Sequence, residues 1–155
     1  MTYRLAIFDF DGTLADSFPF FVAVFNTIAD VHGFRRVDMG RAGELRHYGV
    51  RQMMEHVGMP AWKLPAASRT FMAMMQENAG FIYLFDGVGE ALRHLYAQGV
   101  QLAVVSSNSG HNVRTVLGPE LSALVAWFEC GMSVFGKARH IREVLRRCAF
   151  CMRRA

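Results

Sequence analysis

The sequence predicts an α/β protein: an open parallel sheet with a helical insert after its first strand. Three observations carry this. An apolar strand near the N-terminus runs into two aspartates, in "LAIFDFDGTLADS" (residues 5–17). A long helical stretch broken by glycine and proline follows it. From about residue 82 onward, strands and helices alternate, which is the pattern of a parallel sheet with crossover helices.

Arg4 to Phe10 reads as a buried strand, apolar on both faces as parallel strands are. Asp16-Ser17 starts a helix, and Phe21, Val24, Phe25 and Ile28 then recur at the spacing of one helical face. From there to about Phe81, Gly33, Gly40, Gly43, Gly49, Gly58, Pro60 and Pro65 punctuate the helical pattern. Met53, Met54, Met59, Met72, Met74 and Met75 make this stretch a soft packing surface rather than a metal site. A helix from about Val88 to Gln98 turns Val88, Ala91, Leu92 and Leu95 inward and stops at Gly99. "QLAVVS" (Gln101 to Ser106) is a second buried strand. Helices near 110–117 and 121–126 follow, then a short strand near Trp127 to Cys130. A last helix starts near Lys137, with Ile141, Val144, Leu145 and Cys148 inward. The expected organisation is a core of residues 1–15 and 82–155 with the helical insert at 16–81.

At 155 residues and 52% hydrophobic, the chain has material for one domain with a real core plus an insert. Three cysteines do not make a disulfide framework, which suits a reducing cytoplasm. No apolar run approaches the ~18–20 residues of a membrane span, and with Met-Thr-Tyr-Arg running straight into the first strand no signal peptide is expected. The expected location is cytoplasmic, with no membrane partner. The net charge of +4 comes from the tail: from Lys137 onward stand seven basic residues and one acid, Glu143, while the rest carries ten basic and twelve acidic. A basic tail without aromatic interleaving does not point to nucleic acid.

Chemistry is expected beyond the carboxyl ends of the strands. Asp9 and Asp11 follow the first strand, "SSN" (Ser106 to Asn108) the second, and "FGK" (Phe135 to Lys137) the third. Residues two apart on a strand share a face, so the two aspartates repel unless a cation or an electrophile holds them. The loop amides after Ser106 lead into a helix N-terminus, which favours an anion. Lys137 opposes the macrodipole of the helix it opens, at a cost of ~0.3–1 kcal/mol. It is also one of only two lysines beside fifteen arginines. A compact ammonium there suits a phosphate oxygen.

"DFDGTLADS", then "LAVVSSN", then "GK" resemble, in order and spacing, the first three motifs of the haloacid dehalogenase superfamily. The insert is similar to the helical cap of its phosphoglycolate phosphatase-like branch, and "LFDGVGEALRHL" resembles that cap's return segment. The resemblance covers residues 4 to 147. It implies a Rossmann-like core and a phosphatase acting on a small phosphorylated metabolite. Asp9 would be the nucleophile, forming an aspartyl phosphate. Asp11 would be the general acid and then the general base. Ser106, Ser107 and Lys137 would hold the phosphate oxygens. The implied cofactor is Mg2+, held by the Asp9 carboxylate and the Asp11 backbone carbonyl. In the cap, Arg41, Arg46, His47 and Arg51 would face the substrate. The dehalogenases of the superfamily lack an acid at the second position, so Asp11 points to phosphoryl transfer.

The family's fourth motif, an acidic pair after the next strand, is absent: the last aspartate is Asp86, and Glu120, Glu129 and Glu143 are the only acids after Ser106. From about Cys148 the tail is expected to be a truncated or frameshifted end. A strand lost there would leave an exposed sheet edge, through which self-association is expected. Two alternatives remain: a non-catalytic phospholigand- or partner-binding remnant of such an enzyme, and a sugar phosphomutase. Cys148 and Cys151 stand at metal-ligand spacing but lack the second pair that a structural zinc needs, even counting Cys130 and His140. His47 and His56 read as helix-surface residues.

Overall fold

A computed structural model of the chain describes residues 3–132 and 137–152, with side chains as far as Cys148. Its elements run β1 (Leu5–Phe8), α1 (Phe18–His32), α2 (Val50–Val57), α3 (Leu64–Glu77), α4 (Val88–Ala97), β2 (Gln101–Ser106), α5 (Gly110–Leu124), β3 (Val125–Cys130) and α6 (Lys137–Met152). Short 3-10 turns occupy Met39–His47, Ala61–Lys63 and Ala79–Phe81. The chain divides into two compact units, Met1–Asp16 with Ile82–Ala155, and Ser17–Phe81.

The first unit is built on a parallel sheet in the order β1-β2-β3. β2 is central because its sequence, Leu-Ala-Val-Val after Gln101, is apolar on both faces. Leu102, Ala103 and Val104 are fully buried, and alternate residues face opposite ways, so both faces of β2 are covered. On one face Ala103 and Val105 pack with Met132 and with Val144 of α6, flanked by Leu5, Ile7, Trp127 and Ile141. Further along α6 the buried Cys148 thiol donates to Gln101 Oε1 at 3.0 Å. α5 is two helical pieces joined at Gly118, whose φ of 73° and ψ of 168° leave helical space before Pro119. That φ suits glycine, and the proline cannot continue the ladder.

The second unit is helical. Pro19 opens α1 and Gly33 closes it in a left-handed conformation, the two ends that these residues favour. Lys63 Nζ donates to the carbonyls of His32 and Gly33 at 2.7 and 3.0 Å, placing a cation where the α1 macrodipole is negative. Inside, Phe20 and Phe21 meet Phe71 of α3, and Phe25 meets Phe21 and Phe34. Met53, Met59 and Met75 are buried, and Met39 is half-exposed.

Several expectations change. β1 stops at Phe8 rather than Phe10, and all four of its residues are only half-buried, because β1 lies at the edge of the sheet formed by the described strands. Ala91 and Leu145 are exposed rather than inward. β3 begins at Val125, so the helix expected over 121–126 ends at Leu124. The last helix continues past Cys148 to Met152. Phe135 and Gly136, and the tail from Arg153, lie outside the described residues. Among the described residues no helix is long and apolar enough to cross a membrane.

Candidate active site

The site lies within the first unit, where the strands end. β1 aligns Phe8 with Val104, and β2 aligns Ser106 with Cys130. Asp9 and Asp11 therefore leave the sheet beside the Ser106 loop. The chain reverses immediately after them. The buried Phe10 carbonyl accepts from the amides of Thr13, Leu14 and Ala15 at 3.2, 2.9 and 3.0 Å, and Gly12 N donates to Ala15 O at 2.9 Å. Gly12 takes a φ of 73°, which favours glycine. Phe85 N donates to Leu14 O and Asp16 N to Tyr83 O, so the returning chain is tied to the same turn.

β1 ends at Phe8, so both aspartates lie past the strand rather than on a shared strand face, and each has its own partners. Asp9 accepts from Phe10 N at Oδ1, 2.8 Å away, and from Lys137 Nζ at Oδ2. Asp11 accepts from Asn108 Nδ2 at both oxygens, 3.2 and 3.0 Å. Lys137 stands at the first position of α6. Its side chain and that of Asp9 are each 37% exposed. A pair so exposed is worth ~0.2–1 kcal/mol, about what a cation costs at a helix N-terminus. Stability therefore does not explain why this helix opens on lysine.

Ser106 is fully buried, and its hydroxyl oxygen accepts from Asn108 N at 3.1 Å; a hydroxyl that accepts keeps its own hydrogen to donate. Ser107 beside it is half-buried. Ser109 caps α5, its side chain accepting from Asn112 N. Two of the loop amides expected to await an anion are already used within the loop: Asn108 N by Ser106, and Ser109 N by Asn108 Oδ1 at 2.8 Å. Asn108 is the residue that sequence reading left out of the site. It stands within "SSN", but no local signal shows that its amide reaches a carboxylate 97 positions away.

The arginines and histidine expected to meet substrate all lie in the second unit. Arg41 forms a two-pronged pair with Glu44 at 2.9 Å to each oxygen. The Arg41 hydrogen bond holds the Glu44 carboxyl below its usual range. Arg46 lies over the Phe18 ring at 4.6 Å, Arg51 pairs with Glu55 at 3.3 Å, and His47 is exposed.

The donors suit a hard cation in kind. Asp9 and Asp11 offer oxygen only, and magnesium is commonly held by one or two carboxylates with phosphate and water filling its octahedron. They are few in number: among the described residues no group of three Asp, Glu, His or Cys side chains gathers. Burial pushes the Cys130 thiol up to about 11, which keeps it protonated at neutral pH.

Comparison with known proteins shows which families and folds the chain resembles. A phosphoglycolate phosphatase of Synechococcus elongatus is 29% identical over 142 residues, covering 91% of this chain and 67% of that protein. An N-acetylmuramic acid 6-phosphate phosphatase of Pseudomonas aeruginosa is 26% identical over 111 residues, 69% of this chain and 49% of its own length. The chain thus spans from about half to two thirds of these relatives. Among solved structures, a predicted phosphatase from Clostridium acetobutylicum superposes with a TM-score of 0.73 at 18% identity, covering 94% of this chain and 72% of that one. CbbY from Rhodobacter sphaeroides, solved in complex with phosphate, superposes with a TM-score of 0.59 at 23% identity, covering 85% and 65%. The family model for haloacid dehalogenase-like hydrolases matches residues 6–150, a span that takes in both aspartates, the Ser106 loop and Lys137, and the chain belongs to that family.

Proposed function

We propose that the chain carries the catalytic apparatus of a phosphatase that hydrolyses a small phosphate monoester. The observation that carries this reading is the pair formed by Lys137 and Asp9, with Asp11 held separately by Asn108. In this reading unit one is the catalytic core and the helical unit, with Arg46, His47 and Arg51, selects the substrate. The Asp9 carboxylate attacks phosphorus and the ester oxygen departs with a proton from Asp11. Water then attacks the aspartyl phosphate, giving its proton to Asp11 and releasing phosphate and free Asp9. Ser106, Ser107 and Lys137 bind the phosphoryl oxygens as charge shifts among them.

Charge argues for a cofactor. Two carboxylates and one ammonium leave the site with no surplus of positive charge to receive a phosphate dianion. Mg2+ held by the Asp9 carboxylate and the Asp11 backbone carbonyl would supply that charge. With so few protein ligands its affinity is expected to be weak. Turnover should rise through millimolar magnesium and vanish with chelator.

The test is release of inorganic phosphate from a panel of monoesters. Phosphate release without a primer supports the hydrolase, whereas dependence on a bisphosphate primer assigns a sugar phosphomutase. A non-catalytic binding protein is the second reading, favoured by the missing third metal ligand among the described residues. It predicts binding of phosphate analogues with no magnesium-dependent turnover.

A further inference from the structure

We infer that Asn108 is the positioning residue for Asp11, a role that rests on the hydrolase reading above. Asp11 sits in a loop, where a carboxylate has two side-chain torsions to fix. Asn108 Nδ2 meets both of its oxygens, at 3.2 and 3.0 Å. The orientation of this amide is itself dictated. Its Oδ1 accepts from Ser109 N at 2.8 Å and from Asn112 Nδ2 at 3.1 Å, so Nδ2 is the end turned to Asp11. Asn108 is 2% exposed and Asn112 fully buried. The Asn108 carbonyl accepts from Gly131 N at 2.7 Å, fastening the loop to the end of β3.

An amide suits the task better than a cation. Asp11 must hold a proton in one half of the cycle and lack it in the other. A lysine or arginine would favour the ionised form alone. The neutral Nδ2–H groups donate to a carboxylate and to the carbonyl oxygen of a carboxylic acid alike, so the carboxyl keeps its place while its proton comes and goes.

Two measurements on the full chain test this. The first is a double-mutant cycle in unfolding between Asp11→Ala and Asn108→Ala. Coupling of about tenfold in the unfolding constant is expected, and none would overturn the contact. The second compares an alkyl phosphate with p-nitrophenyl phosphate, whose leaving group needs little protonation. Asn108→Asp keeps the accepting Oδ1 but replaces the donor, and Asn108→Ser keeps a donor should the first variant not fold. The expected result for Asn108→Asp is a loss of roughly tenfold to a hundredfold in kcat on the alkyl ester. KM should be nearly unchanged, formation of phosphoenzyme from the aryl ester should be less affected, and the phosphoenzyme should accumulate. Asn108→Ser should recover part of the loss. Equal loss in the rate of phosphoenzyme formation from both esters, with no accumulation of phosphoenzyme, would make Asn108 merely structural and sink the proposal. Coupling in the cycle with no turnover by the unmodified chain would instead overturn the hydrolase reading, and the positioning role with it.

Discussion

Lys137 is a residue whose position stability does not explain. It offsets the helix dipole unfavourably, and its exposed ion pair returns about as much as that costs. Lys137→Met should therefore change unfolding by under about 1 kcal/mol while lowering phosphate release steeply. Lys137→Arg should restore little, because a planar fork does not replace a point charge. Loss of stability without loss of turnover would reverse the assignment. Cys130 gives a second residue-level test. With its thiol pushed up to about 11, chiefly by burial, it stays protonated through neutral pH. At pH 8 only about one part in a thousand is thiolate, so alkylation should be slow and should accelerate as pH rises. Fast labelling at pH 8 would contradict the burial. At this scale the positions of Asp9, Asp11, Ser106 and Lys137 beside the strand ends were legible, because each stands at or just past the end of an apolar run or at the start of a helix. Asn108 was not, because an amide's long-range partner leaves no mark on neighbouring positions.

Among the elements, β2 carries the sheet. Leu102 is fully buried, and Leu102→Ala should cost about 2–5 kcal/mol in chemical denaturation. A cost below ~1 kcal/mol would mean that β2 is not the centre of the core. Gly118→Ala should destabilise by about 1–3 kcal/mol through backbone strain alone, since its φ and ψ lie where only glycine is at ease and no atom lies within 4 Å of the added methyl. Periodicity found β2, α1, α4 and α6 because their apolar runs are long and bounded by glycine or a cap. It misjudged β1 because the apolar run continues through Phe10, which is buried but belongs to the turn. It ran a helix into β3 because Leu121 to Ala126 is apolar and Ala-rich, and nothing between Leu124 and Val125 marks the switch. Leu145 and Ala91 match a helical repeat yet face outward, since the width of the buried stripe is set by the partner surface rather than by the helix.

For the molecule as a whole, the alternation of strands and helices made the parallel sheet legible, and the broken glycine-rich stretch announced the helical unit Ser17–Phe81. The charge of the tail was legible too, but not its partners: Arg147 reaches Glu129 of β3 at 2.8 Å, and His140 meets the other oxygen at 3.4 Å. Among the described strands β1 pairs only with β2. We expect this edge, with its half-buried Leu-Ala-Ile-Phe, to recruit a second copy of the 155-residue chain. Sedimentation should show association that rises with concentration and is weakened by a lysine at Ala6; a monomer at all concentrations would refute it. The central claim is that Asp9 is the nucleophile of a magnesium-dependent phosphatase, and the most direct measurement is phosphate release by the purified chain beside its Asp9→Asn variant. The account predicts magnesium-dependent release from at least one monoester at ~1–10³ s⁻¹, abolished in the variant. Release that survives Asp9→Asn, or no release at any magnesium concentration, would contradict it.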